Sequence, residues 1–536
     1  MEEKKIAVII QKTNEKLCAA TVKSINQLAA PEGYKVEILT VKSASRFIAY
    51  DTAMKKMDAK YKIYIDEQVE VVQKNIFEEV LKIFQSDEKI GVVGVSGAIK
   101  LSTSGVCINS AKRCGKIFLG IKKGVKDWKN ITEDFREVEA VDGFFFATQY
   151  DIDWRQDLFK KNTFGETAQC LEFKRRGYKS VVLNSKTPAI WCKTSKFAID
   201  ETGRKNFLQE YSAELFPLVS VIIPTFNRPK YFKLALESAL NQTYRNIEVV
   251  ISDNSTEDDT ENLVKEFMEK DPRIKYFRHQ NFNADDNWNF ARHYNNPDAE
   301  FVNWLMDDDM YYPKKIEMMM EVYRNNPDIS LVTSMRDFVD MNGKPIKKSR
   351  QVMKMSGKMD GQKAGSLLFI SDNYIGEPTT VLIKKEFLRD NDLCWLEDET
   401  GFFSLVDAST WLQLLTKGDL YWIKEPLSAM RLHEGQATFT GGTGIIMVIC
   451  WARLMKTAWE KKVFLKTEDE IRRAFIHWMR ILSLKLSEAQ KAKYHGEEVS
   501  ILEDFYIAMA KALNNGYNIE LPPIKYSGAN KFTKTA

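Results

Sequence analysis

Short, wholly apolar runs alternate with amphipathic stretches over the first hundred positions. KIAVII (5–10) leads into 16–29, where Leu17, Val22, Ile25 and Leu28 recur at helical spacing. YKVEILTV (34–41) follows, then a helical pattern over 46–57, YKIYI (61–65), a helix over 75–86 and KIGVVGVSG (89–97). Strands apolar on both faces and separated by helices predict a parallel sheet covered on both sides, an α/β fold. The pattern then restarts. SVIIPTFNRPKYFKLALESALNQ (220–242) repeats the layout of AVIIQKTNEKLCAATVKSINQL (7–28), and IEVVIS (247–252) that of VEILTV (36–41). Such a repeat is the duplication of a whole domain. From about 441 the strand signals stop, and patterns such as EDEIRRAFIHWMRILSLKLSEAQ (468–490) predict helices. The expected organisation is a domain over 1–196, a polar, partly helical linker over 197–216, a domain over 217–440, and a helical region with a loose tail over 441–536.

The length of 536 residues suits several domains, and 44% hydrophobic with 28% charged residues suits a globular chain. Lys and Arg number 78 against 74 Asp and Glu, a net charge of +4, which gives no case for a nucleic-acid partner. Seven scattered cysteines with no CxxC read as thiols in a reducing compartment. The charged N-terminus runs straight into a strand, and GIIMVICWA (444–452) is shorter than the ~20 residues a bilayer span needs. A soluble, cytoplasmic protein is expected. Two partners stay open: a membrane surface on the cytoplasmic face and a second copy of the chain.

The chemistry concentrates in the second copy. Pro224 ends the strand 219–224, and Pro229 suits the first turn of the next helix. The strand after it ends in SDNSTEDDT (252–260), and the run FVNWLM ends in Asp307, Asp308 and Asp309. Open α/β sheets bind ligands beyond the carboxyl ends of their strands, so Asp253 and the three aspartates should converge on one crevice.

VSVIIPTFNR, VVISDNSTEDDT and WLMDDDMYYP resemble the successive signatures of family-2 glycosyltransferases of GT-A fold, over about 217–435. The resemblance implies a nucleotide-sugar pocket lined by Thr225, Asn227, Arg228 and Asp253. Asp307 and Asp309 match the family's acidic motif, with Asp307 also facing the donor, and hold a divalent metal, Mn2+ or Mg2+. A hard cation suits carboxylate oxygens and neutralises charge on a departing diphosphate. SLVDASTWLQLLTKGDLYWIKEPLSAMRLH (404–433) is similar to the family's later block. The usual Glu-Asp pair there is Val406-Asp407, so Asp407 matches the base that takes the acceptor's proton; its plain reading is a helix N-cap. His433 matches a histidine that completes the metal or diphosphate site. NYIGEPTTVLI (373–383) lies where the family has its acceptor-side loop, with Glu377, Pro378 and Thr379 facing the donor sugar or the acceptor, or forming a plain turn. Trp304, Trp395, Trp411 and Trp422 offer sugar-stacking faces or core packing.

The first copy resembles a related GT-A branch of antibiotic-pathway glycosyltransferases through YIDEQVEV (64–71), VDGFFFATQ (141–149) and CLEFKRRGYKSVVLN (170–184). It departs from that branch where it matters. Gln68 stands at the metal-binding aspartate, and PAIWCKTS (188–195), after Glu166, has no histidine. A neutral amide is a poor ligand for a hard cation, so this domain is expected to be non-catalytic or weakly catalytic, retained for packing or acceptor binding, with Asp66, Asp142 and Glu166 open to a site of another kind. The whole reads as an inverting, metal-dependent transferase moving a sugar, such as an N-acetylhexosamine, from a UDP-sugar to a hydroxyl of a glycan, a lipid-linked glycan or a protein such as flagellin. Three alternatives are weighed beside it. One is a bifunctional transferase with both domains active, and another a non-enzymatic carbohydrate-binding scaffold. The third is a nucleotidyltransferase, disfavoured because PTFNRP lacks glycine.

Overall fold

The apolar run at the N-terminus becomes the strand Lys5–Lys12, which pairs in parallel with Lys35–Lys42 and Tyr61–Ile65. Asn14 caps the following helix, Glu15–Asn26, by accepting from the backbone N–H groups of Lys16 and Leu17. The structure, a computed structural model, describes residues 1–161, 163–195, 197–348, 353–371, 373–388, 405–433, 443–491, 493, 496–520 and 522. Contacts divide the chain into two units, Met1–Phe216 and Pro217–Ala536.

The main sheet of the first unit is mostly parallel, as expected, with five of its seven strands pointing the same way. Phe145–Thr148 runs antiparallel between Tyr61–Ile65 and Ile90–Gly94, and Lys179–Leu183 continues parallel to Ile90–Gly94. A short apolar run carries no sign of its direction. The stretch 89–97, expected as one strand, divides at Val95: Ser96–Lys100 turns into a second sheet beside Lys112–Leu119. Residues 201–215, expected as linker, form a helix belonging to this unit. Its Phe207 and Tyr211 are fully buried; the Phe207 ring lies 5.5 Å from Phe164, and the Tyr211 hydroxyl donates to Glu172 at 2.9 Å. The apolar positions 207, 208, 211 and 215 supply the helical stripe that an otherwise polar stretch hides.

The second unit repeats the arrangement. Leu218–Thr225 lies parallel between Ile247–Asp253 and Ala299–Trp304. Leu382–Lys384 is the antiparallel insert beside Ala299–Trp304 and Ile329–Val339, and Asp419–Arg431 continues parallel to the latter. Six strands thus recur in the same order and with the same senses in both units, which is the duplication expected from the repeated pattern.

The helices Thr443–Glu460, Glu468–Lys491 and Glu497–Leu513 share the core of the second unit. Trp451 meets Phe369 edge-on at 6.0 Å and stacks on Trp478 at 5.1 Å, so the apolar run around 449–452 is covered. Among the described residues no helix is long and apolar enough to cross a membrane. Gly365, inside the helix Gly361–Phe369, marks the closest approach: a Cβ there would lie 2.2 Å from the Phe464 ring. Alanine in a helix interior ordinarily stabilises by about 0.5–1 kcal/mol. Here overpacking should reverse the sign, and Gly365→Ala is expected to cost roughly 1–3 kcal/mol in urea unfolding. An unchanged or higher midpoint would mean that the helices do not dock on this face.

Candidate active site at the strand ends of the second unit

The parallel register aligns Thr225 with Asp253, and Asp253 with Arg278, so three strands finish at one edge. The PTFNR turn is tied to the next strand end. Asn227, at φ +50°, donates its backbone N–H to the Ser255 hydroxyl at 2.8 Å, and its side-chain oxygen accepts from the Thr256 N–H at 2.9 Å. Asparagine tolerates that left-handed backbone better than most residues. Asp253 is fully buried, accepting from the Ser255 N–H at 2.8 Å and the Tyr276 hydroxyl at 2.7 Å, with Arg278 3.7 Å away.

The three aspartates face three ways. Asp307 accepts from the Thr225 hydroxyl at 2.9 Å and the Phe226 N–H at 3.4 Å. Asp308 meets His433 Nε2 at 2.9 Å and the Arg228 guanidinium at 3.2 Å. Asp309 points inward, its two oxygens taken by the Thr379 hydroxyl at 2.6 Å and the Arg431 N–H at 3.1 Å. The geometry therefore places Asp308, not Asp309, beside His433, which the motif spacing pairs with Asp307 and Asp309. The chain turns sharply after Trp304, and successive side chains of a turn need not share a face. Burial, added to by Asp308, pushes Asp307 up to about 7 and Asp309 well above the ordinary carboxylate range. Arg228 opposes this at Asp307.

Arg431 braces the loop from below. It is fully buried, and its guanidinium donates to the carbonyls of Asp308, Asp340 and Met341, each at 2.9 Å. Tyr231 lies between Arg431 and His433, with ring distances of 5.0 and 5.6 Å.

On the other side stands Asp407, the second residue of the helix Val406–Lys417. Leu405 holds the N-cap position, so Asp407 lies inside the first turn rather than at the cap itself. Its carboxylate accepts from Asn373 at 3.2 Å and from the Ala408 N–H at 2.7 Å. Burial pushes Asp407 up to about 6; Glu377 adds to the shift and Arg336 opposes it. Glu377 is paired with Arg336 at 2.6 Å. Through Asn373, Glu377 and Thr379, the segment 373–380 reaches Asp407, Arg336 and Asp309 in turn. Trp304, Trp411 and Trp422 are core residues, at most 2% exposed, and offer no sugar platform; Trp395 lies outside the described residues.

Comparison with known proteins accounts for both units. Residues 7–211 match the profile described as "Glycosyltransferase like family", and residues 220–390 match "Glycosyl transferase family 2". The chain belongs to the family-2 glycosyltransferases. An uncharacterized glycosyltransferase of Rickettsia typhi is 29% identical over 231 residues, 42% of this chain and 67% of that protein. The GalNAc(5)-diNAcBac-PP-undecaprenol beta-1,3-glucosyltransferase of Campylobacter jejuni is 36% identical over 105 residues, 20% of this chain and 34% of its relative. S. aureus TarS 1–349, solved in complex with UDP, aligns with a TM-score of 0.40 at 16% identity, covering 56% of this chain and 82% of that one.

This tandem glycosyltransferase can be tested for its fit to a divalent ion on the donors themselves. Asp308 and His433 bring a hard carboxylate and an imidazole within 2.9 Å, and one guanidinium faces both Asp307 and Asp308. Among the described residues no group of three or more such ligands surrounds one point. A cation that also takes substrate phosphates and waters needs only one or two protein ligands, so the donor chemistry fits. Sequence reasoning missed Asp308 as the partner of His433, and it missed Arg431, which reads as one position in a strand.

Proposed function

We propose that the second unit of this glycosyltransferase transfers a sugar from a UDP-sugar to an acceptor hydroxyl, inverting the anomeric carbon. The supporting observation is the meeting of the Asp308–His433 pair with strand ends that finish in Thr225 and Asp253. Asp253, Thr225 and Asn227 hold the nucleoside at those ends. Asp308 and His433 hold a divalent ion, Mn2+ or Mg2+, whose charge offsets that of the donor diphosphate. Asp309 serves as scaffold through Thr379 and Arg431. Glu377, held by Arg336, faces the donor sugar.

Asp407 is the base. As the acceptor oxygen attacks the anomeric carbon, its proton passes to Asp407, and the bond from that carbon to the diphosphate oxygen breaks with its electron pair leaving on the diphosphate. The acceptor is a glycan, free, lipid-linked or on a protein; the name of the Campylobacter relative points to the lipid-linked kind.

The reading predicts one UDP site per chain. Titration of UDP in Mn2+ should return a stoichiometry near one, EDTA should remove it, and one member of a UDP-sugar panel should release UDP when acceptor is supplied. Failure of UDP to bind with Mn2+ would sink the donor assignment. Two sites per chain would make the first unit a second transferase.

A further inference from the structure

The first unit encloses a cavity of about 460 Å³, within the range of small-ligand pockets. It opens at the edge that corresponds to the transfer site, and equivalent positions have changed chemistry. Glu67, like Asp307, ties down the turn after the first strand, accepting from the N–H groups of Thr13 and Asn14 and the Thr13 hydroxyl. Gln68, at the position matching Asp308, lines the cavity. Glu166, near the start of its helix like Asp407, is bonded to Arg46 at 2.9 Å. The same guanidinium also holds Asp66. A proton acceptor locked to a permanent cation is a poor base. A cation bridging the two acids leaves an added metal no carboxylate pair to take.

The charges of the lining decide what fits. Asp142 is neutralised by Arg113, and Asp200 is answered by Lys161 at 3.4 Å. Arg46 faces two carboxylates, so the remaining balance is negative. A diphosphate would enter an acidic site whose lining cations, Arg46 and Lys161, already answer carboxylates. What remains is a mixed set of donors and acceptors: the Arg46 and Gln68 groups, the carboxylates, and the Thr163 hydroxyl, which is buried with no hydrogen-bond partner among the described residues. Apolar groups share the lining, including the Phe144 and Phe197 rings, 5.5 Å apart, and Phe164. A lining that combines hydroxyl-matching polar groups with aromatic rings suits a neutral polyhydroxylated ring.

We propose that this cavity binds an uncharged carbohydrate without a metal, so that the first unit is a glycan-holding module. The assignment rests on this cavity alone and stands or falls apart from the transfer reaction. Saturation-transfer NMR on the full chain in EDTA tests it, with N-acetylglucosamine, N-acetylgalactosamine, glucose, galactose and their β-linked disaccharides as probes. At least one probe is expected to receive saturation. Gln68→Ala and Thr163→Val should each cut its affinity about tenfold, with unchanged melting temperature. No transfer to any probe, transfer untouched by both changes, or binding only of UDP with Mn2+ at this cavity would overturn the proposal.

Discussion

Asp308→Ala is expected to lower kcat/KM by at least about 10²-fold, the scale on which removal of one preorganised charge-stabilising group is felt. The fold should survive, because the change removes a carboxylate that sits beside two others and, among the described residues, answers Arg228 and His433. UDP affinity in Mn2+ should fall with it, while binding without metal changes little. Asp309→Ala supplies the contrast. It strands the buried Thr379 hydroxyl and Arg431 N–H, so its loss of activity should come with a lower melting temperature. If Asp309→Ala instead removes metal-dependent UDP binding and Asp308→Ala does not, the ion sits on the other aspartate.

Asp407→Asn should keep donor binding and lose transfer by about 10²-fold or more, the range of general-base catalysis. The unaltered enzyme should lose turnover about tenfold per pH unit below about 6, where Asp407 takes up its proton, and the variant should lack that limb. Stability should move the opposite way. A carboxyl raised from an ordinary 3.8 to about 6 on folding favours the fold while protonated. That contribution is complete below the ordinary value and is lost as pH rises through about 6. Asp407→Asn should therefore be more stable than the parent above pH 6, by about 1–3 kcal/mol, with the gap closing towards pH 4. The Ala408 N–H opposes the burial most, and Glu377 and Arg336, which face Asp407 from other elements, act in opposite directions. Normal single-turnover chemistry in the variant, or a gap that widens on acidification, would move the base elsewhere.

The duplication was legible because both copies spend their apolar residues on the same alternation of strands and helices. Turn residues at fixed offsets then located the edge on which the site is built. The antiparallel inserts were not legible. Leu382–Lys384 has three residues, and direction leaves no trace in so short a run. Nor was the choice among the aspartates. Motif spacing counts positions, but which carboxylate meets His433 depends on how the chain turns after Trp304. Arg431 was hidden for a related reason. Its guanidinium bonds run to three carbonyls 90 or more residues away, and only the folded sheet brings them to it. That Thr225 and Asp253 end adjacent strands, with Asn227 and Arg228 in the turn after the first, was legible because the apolar runs fix where those strands stop.

Arg431 has a kinetic consequence. Its guanidinium is held at three carbonyls and against the Tyr231 ring. The acidic loop thus has its shape before any donor arrives. Donor capture then spends little of its free energy on freezing that loop, and encounter rather than loop rearrangement should set the rate of association there.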